Sequence, residues 1–166
     1  MSRWLKRLLA LAVLVLAGVW GWHVLFPSPE KVIRHRLGEL AQTVTILPNT
    51  APAAKLYNAQ KLASFFTADV QVRVDVPGQS LHSLHGRQEL ADAATAAGAM
   101  VSSLTVELFG ITVVLDPDRQ GATTDFTAKA NVPGESVPQV QELKAHFKKD
   151  GADWLIDRVE TVRPLR

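Results

Sequence analysis

Residues 143–162 read LKAHFKKDGADWLIDRVETV, two alternating runs joined by a turn. Leu143, Ala145 and Phe147 alternate with Lys144, His146 and Lys148, the period-two pattern of a strand with one face in a core and one in water. Asp150-Gly151 is a hairpin signal, and Trp154 to Val162 carries the chain back as a second strand. Upstream the same period holds. Leu104, Val106 and Leu108 are two apart, as are Ile111, Val113 and Leu115, and the phase slips between the two sets at Phe109-Gly110, where a glycine bulge is expected. Asp116 to Gly121 reads as a turn; Phe126, Ala128 and Ala130 then alternate with Asp125, Thr127 and Lys129, and Val132-Pro133-Gly134 with Pro138 forms the next connection. The carboxyl-terminal part is therefore an antiparallel meander of long strands.

Before Val101 the period is helical. Ser28-Pro29 supplies a helix start, and Ile33, Leu37, Leu40 and Val44 share one face. Leu47 to Pro52 breaks that helix, and Ala53 to Phe66 resumes it through Leu56, Ala59, Leu62 and Phe66. Val70 to Val76 alternates strictly, with four valines on one face and Gln71, Arg73 and Asp75 on the other, before Pro77-Gly78 turns the chain. Arg73 and Asp75 are expected on a solvated or subunit-facing surface. Gly86 to Met100 is a third helix, and its small face of Ala93, Ala94 and Ala97 beside Leu90 is expected to permit close packing. Helices first and strands afterwards make an α+β fold.

The amino terminus has a different character. Leu8 to Phe26 is apolar with His23 as its one polar side chain, long enough to span a bilayer as a helix. A weak cleavage site at Val15-Leu16-Ala17 is followed by further apolar residues, which favours a retained anchor over a removed signal. Trp4 precedes the span and Trp20 and Trp22 lie near its far end, where indole rings favour the headgroup zone. Arg3, Lys6 and Arg7 ahead of the span place the amino terminus in the cytoplasm. The expected organisation is a cytoplasmic tail over 1–7, an anchor over 8–26, a linker over 27–30 and an exterior domain over 31–166, in the inner membrane with that domain outside.

Composition narrows the chemistry. The 166 residues are 47% hydrophobic and contain no Cys, which excludes disulfides, thiolate zinc sites and cysteine nucleophiles. Of the 18 basic residues three precede the anchor, which leaves 15 against 16 acidic residues beyond it despite a formal net charge of +2. That domain lacks the positive footprint that phosphate contacts need, so nucleic acid is excluded as a partner.

The order of three helices, a short strand between the second and third, and a curved meander ending in Lys149 to Ile156 resembles the nuclear transport factor 2-like superfamily. Phe65-Phe66-Thr67-Ala68-Asp69-Val70 looks like that family's exit from its second helix, and His85-Gly86-Arg87-Gln88-Glu89-Leu90 like the start of its third. The resemblance covers about residues 30 to 164 and implies a cystatin-like cone in which a sheet wraps the helices and often leaves an apolar pocket. Ketosteroid-isomerase-like members place a carboxylate base on the first strand and an acid in the strand before the last hairpin; here Val74 and Ala145 occupy the matching positions. The single Tyr, Tyr57, is on the second helix rather than the first, where those enzymes carry a phenol.

The resemblance therefore implies a non-catalytic, membrane-anchored module for ligand binding or assembly, with no cofactor and no metal. Its expected pocket residues are Tyr57, Phe66, Val74, Phe126, Phe147, Trp154, Asp157 and Arg158, with Trp154 in the core or at the pocket mouth. Whichever of Asp157 and Arg158 faces inward is a buried ionisable group and so a site candidate, but an exposed rung or a structural pair is the favoured reading. The alternative is an isomerase, cyclase or dehydratase acting on a small apolar substrate through His82, His85, Asp157 or Arg158. His82 and His85, in an expected loop, lack a third metal ligand. Lys144, His146, Lys148 and Lys149 read as a basic ladder that protects an edge or coats a polar sheet face. Expected partners are the membrane, a small apolar ligand, and a second copy or a membrane-complex component.

Overall fold

A computed structural model describes residues 28–74, 82–134 and 137–162. The anticipated anchor, with Trp4, Trp20 and Trp22, lies outside these residues, as do Asp75 and Val76. Among the described residues no helix is long and apolar enough to cross a membrane.

Helix α1 spans Pro29–Val44, with Pro in its first turn and Glu30 near the positive end of its dipole. Its apolar stripe buries Ile33 and Leu37 completely. Helix α2, Pro52–Ala63, stops sooner than the periodicity suggests. The backbone N–H groups of Ser64 and Phe65 tighten onto the carbonyls of Lys61 and Leu62, and Phe66 opens strand β1, Phe66–Val74, instead of closing the helix. The reason is tertiary: Phe65 and Phe66 both bury their rings, and the Phe65 carbonyl accepts the Ile156 N–H at 2.9 Å.

His82–His85 is not a loop but strand β2, antiparallel to β1 with Val74 opposite His82 and Gln71 opposite His85. Helix α3 covers Arg87–Met100, followed by the strands β3 Thr105–Leu115, β4 Gly121–Asn131, β5 Gln139–Asp150 and β6 Asp153–Thr161. They form one sheet in the order β2-β1-β6-β5-β4-β3, in which only β1 and β6 run parallel.

The bulge at Gly110 is where the phase slip put it. The β3–β4 register shifts between Phe109 and Thr112, and Gly110 takes φ 62°, so Leu108, Ile111 and Val113 all pack against the core. The last hairpin turns at Gly151-Ala152, one residue later than Asp150-Gly151, with Gly151 at φ 60°. The core lies between α1 and the inner sheet face: Ile33 and Leu37 meet Phe126, Ala145, Phe147, Trp154 and Ile156. Arg36 fastens this end, its guanidinium 5.1 Å from the Phe65 ring centroid and 3.8 Å from Asp153.

Candidate functional site

Two apolar chambers lie inside the wrap of the sheet. The first, about 180 Å³, sits against the inner sheet face under α1 and is walled by Leu40, Ala41, Phe66, Phe126, Leu143 and Ala145 among other hydrocarbon side chains. The second, about 340 Å³, lies among the three helices, with Ala59 and Leu62 of α2 facing Ala93, Ala94 and Ala97 of α3. The small face of α3, expected to allow close packing, instead leaves volume. Ile46 and Leu104 close its far side, held together by paired backbone hydrogen bonds of 2.8 and 2.9 Å. Val44 and Leu90 line both chambers.

The few polar groups on these walls are mostly engaged. Thr43 donates its hydroxyl to the Glu39 carbonyl at 2.8 Å. Lys55 donates its ammonium to the Gly98 and Val101 carbonyls at 3.0 and 2.7 Å, capping the negative end of α3. Asn58 is half-buried, and its amide makes no hydrogen bond among the described residues.

A cluster of charge occupies the outer sheet face. Ala145 and Phe147 point inward, so His146 points out, between two carboxylates. Its Nδ1 lies 2.6 Å from Asp157 Oδ1 and its Nε2 3.2 Å from Asp116 Oδ2. Two devices bring them together. In β6 the register pairs His146 with Arg158 but Phe147 with Ile156, so Asp157 is an extra bulged residue, aimed at the imidazole. Asp116, at the end of β3, reaches across β4 over Gly121, where a Cβ would lie 2.1 Å from Asp116 Oδ2 and 3.0 Å from His146 Nε2. Gly121 is there for space.

Burial pushes the imidazole toward its neutral form, but hydrogen bonds to Asp157 and then Asp116 outweigh that and hold its pKa above the ordinary 6.5. When protonated, the imidazole donates through both nitrogens and clamps the two carboxylates together. Among the described residues no group of three or more His, Cys, Asp or Glu is placed to hold a metal ion.

The expected pocket residues scatter. Phe66 and Phe126 wall the first chamber. Phe147 and Trp154 are buried in the core without lining either chamber, and Val74 is half-buried near the end of β1. Tyr57 is 65% exposed on α2, facing away. Neither Asp157 nor Arg158 faces inward: the bulge turns Asp157 to His146 and leaves Arg158 exposed, while Ile156 and Val159 take the inner positions. Nor is the basic ladder at an edge, since β5 lies between β4 and β6; its Lys144 pairs with Asp125 at 3.6 Å. The sequence marks Asp116 and Gly121 only as parts of a turn, and their place in this cluster comes from the tertiary fold.

Similar solved structures share this architecture at low sequence identity. A scytalone dehydratase-like protein from Novosphingobium aromaticivorans superposes with TM-score 0.59 at 14% identity, covering 80% of this chain and 83% of its own. A nuclear transport factor 2-like protein of unknown function from Pseudomonas putida gives 0.63 at 13% identity, over 82% and 87%. A cystatin-like domain of unknown function from Nostoc punctiforme gives 0.63 at 16% identity, over 85% and 80%. The fold is the nuclear transport factor 2-like cone. No family sequence model and no curated protein matches the chain. Likeness at this identity carries architecture and not activity. Within the cone, Ala145 lines the first chamber and is 1% exposed, so the position that the resemblance gives to an acid is occupied by a methyl group.

Proposed function

We propose that this chain is a membrane-anchored, non-catalytic module that takes a small apolar ligand into its cone. The observation that carries the reading is the first chamber, walled by hydrocarbon from Leu40 to Val159 with no titratable side chain. Proton transfer needs an acid or base within hydrogen-bond reach of the substrate, and these walls supply none. A polar ligand would lose its water without replacement hydrogen bonds, so the fitting occupant is apolar.

Supporting the anchored half of the reading are the sequence from Leu8 to Phe26 and the start of α1 at Pro29, which leaves a short connection. The proposed location is the inner membrane with the cone on the exterior side, and the proposed company is a second copy or another membrane-complex component. Alkaline extraction and protease digestion of spheroplasts, in which the outer membrane is opened, test the location, and crosslinking in intact membranes tests the company. A chain released by carbonate, or a cone protected in intact spheroplasts, would overturn it.

For ligand binding, the test is native mass spectrometry of the full chain after gentle extraction. A mass excess lost on denaturation supports the reading. The enzyme alternative predicts a bell-shaped pH profile on a surveyed substrate, abolished by replacing His82, His85, Asp157 or Arg158.

A further inference from the structure

We propose that the two chambers form a single site for an unbranched hydrocarbon chain, with the chain's polar end held at Asn58. This rests on the reading of the cone as an apolar-ligand site and assigns that ligand its chemical class. Val44 and Leu90 belong to the walls of both chambers, so the spaces of about 180 and 340 Å³ lie side by side across this pair. A rigid ring system fills one chamber and stops there. A flexible methylene chain bends past the two side chains and fills both.

The lining is of the matching kind. Aliphatic and alanyl side chains dominate, and the second chamber carries no aromatic ring to stack against a planar ligand. Its polar side chains are Thr43, Lys55 and Asn58. Lys55 is tied to the end of α3 and Thr43 to its own helix, which leaves Asn58, whose amide makes no hydrogen bond among the described residues. A carboxamide offers one acceptor and two N–H donors without charge, which suits a carboxylic acid, alcohol or ester head. The ligand is then a long-chain acid or an acyl lipid.

The test uses the full chain in a surfactant with a perfluorinated tail, which offers neither a hydrocarbon chain nor a steroid skeleton, and measures by native mass spectrometry the affinity for saturated fatty acids of eight to sixteen carbons, with a lysophospholipid and a steroid alongside. Affinity is expected to rise by up to about fourfold per added methylene, the factor that corresponds to burying one CH₂, until both chambers are full. Leu90→Trp is expected to end that rise at a shorter chain by blocking the junction, and Leu90→Phe serves if the larger ring prevents folding. Asn58→Leu is expected to keep the chain-length slope while losing several-fold preference for the acid over its alkane. Tighter binding of the lysophospholipid than of the free acid would identify membrane lipid as the source, and the reverse a free acid; either fits the proposed class.

A steroid bound as tightly as any chain, with no dependence on chain length, would overturn this inference and leave the apolar-ligand reading standing. Failure to bind any apolar compound would overturn both. An Asn58→Leu variant with unchanged preference would refute the placement of the head.

Discussion

Replacing Gly121 by Ala is the sharpest test of the outer-face clamp, because its two effects on stability have opposite signs. Gly121 does not take the left-handed conformation that favours glycine, so in open space Ala would stabilise the fold by about 0.4–1 kcal/mol through a less flexible unfolded chain. Here the new Cβ would lie 2.1 Å from Asp116 Oδ2 and 3.0 Å from His146 Nε2. Both obstacles are tips of side chains, so the substitution displaces them and breaks one charged hydrogen bond. Such a bond contributes roughly 1.5–3 kcal/mol. The side chains of Asp116 and His146 are 37% and 33% exposed, and solvent screening brings the expected contribution down to about 1–2 kcal/mol. The net expectation is a loss of about 1 kcal/mol, or about 3–5 °C in melting temperature. In an Asp116→Ala background the obstacle is gone, and Gly121→Ala should raise the melting temperature by about 1–3 °C. Thermal unfolding of the four proteins at pH 6 gives the cycle. The same sign in both backgrounds would refute the clamp.

Three further substitutions probe other parts of the account. His146 has a pKa raised above its unfolded value, so the clamp is fully stabilising below pH 6.5 and is lost as pH rises through the folded pKa. The melting-temperature advantage of the native chain over His146→Gln should therefore be largest near pH 6 and shrink toward pH 9; a gap that widens with pH contradicts it. Phe147→Ala, at a site 1% exposed, should destabilise by about 3–5 kcal/mol in denaturant titration, and a loss under 1 kcal/mol would argue against the inward register of β5. Lys55→Met should lose about 1 kcal/mol and speed hydrogen exchange at the end of α3, with no change there if the cap is idle.

What was legible in the sequence followed from burial. Leu143, Ala145 and Phe147 repeat every second residue because one face of β5 meets the core, and the slip at Gly110 was visible as a step of three between Leu108 and Ile111. A similar step separates Ile156 from Val159 in β6. It marks the bulge at Asp157 and is the signal that would have turned both Asp157 and Arg158 away from the interior. Other features had no local trace. Phe65 and Phe66 fit a helical period, and only the strand waiting at Ile156 makes them leave it. β2 is too short to display an alternation. That Ala93, Ala94 and Ala97 would leave space rather than remove it depends on how far α2 and the Ile46–Leu104 bridge stand from α3. Gly121 opens a slot for a side chain from another strand, and no pattern along β4 itself records that.

Native mass spectrometry of the full chain, released gently from its own membranes into a surfactant with a perfluorinated tail, shows whether the cone holds an apolar molecule. The expected result is a bound mass of a few hundred daltons that vanishes on denaturation and returns on incubation with a long-chain acid. A chain observed only at its bare mass, before and after such incubation, would contradict it.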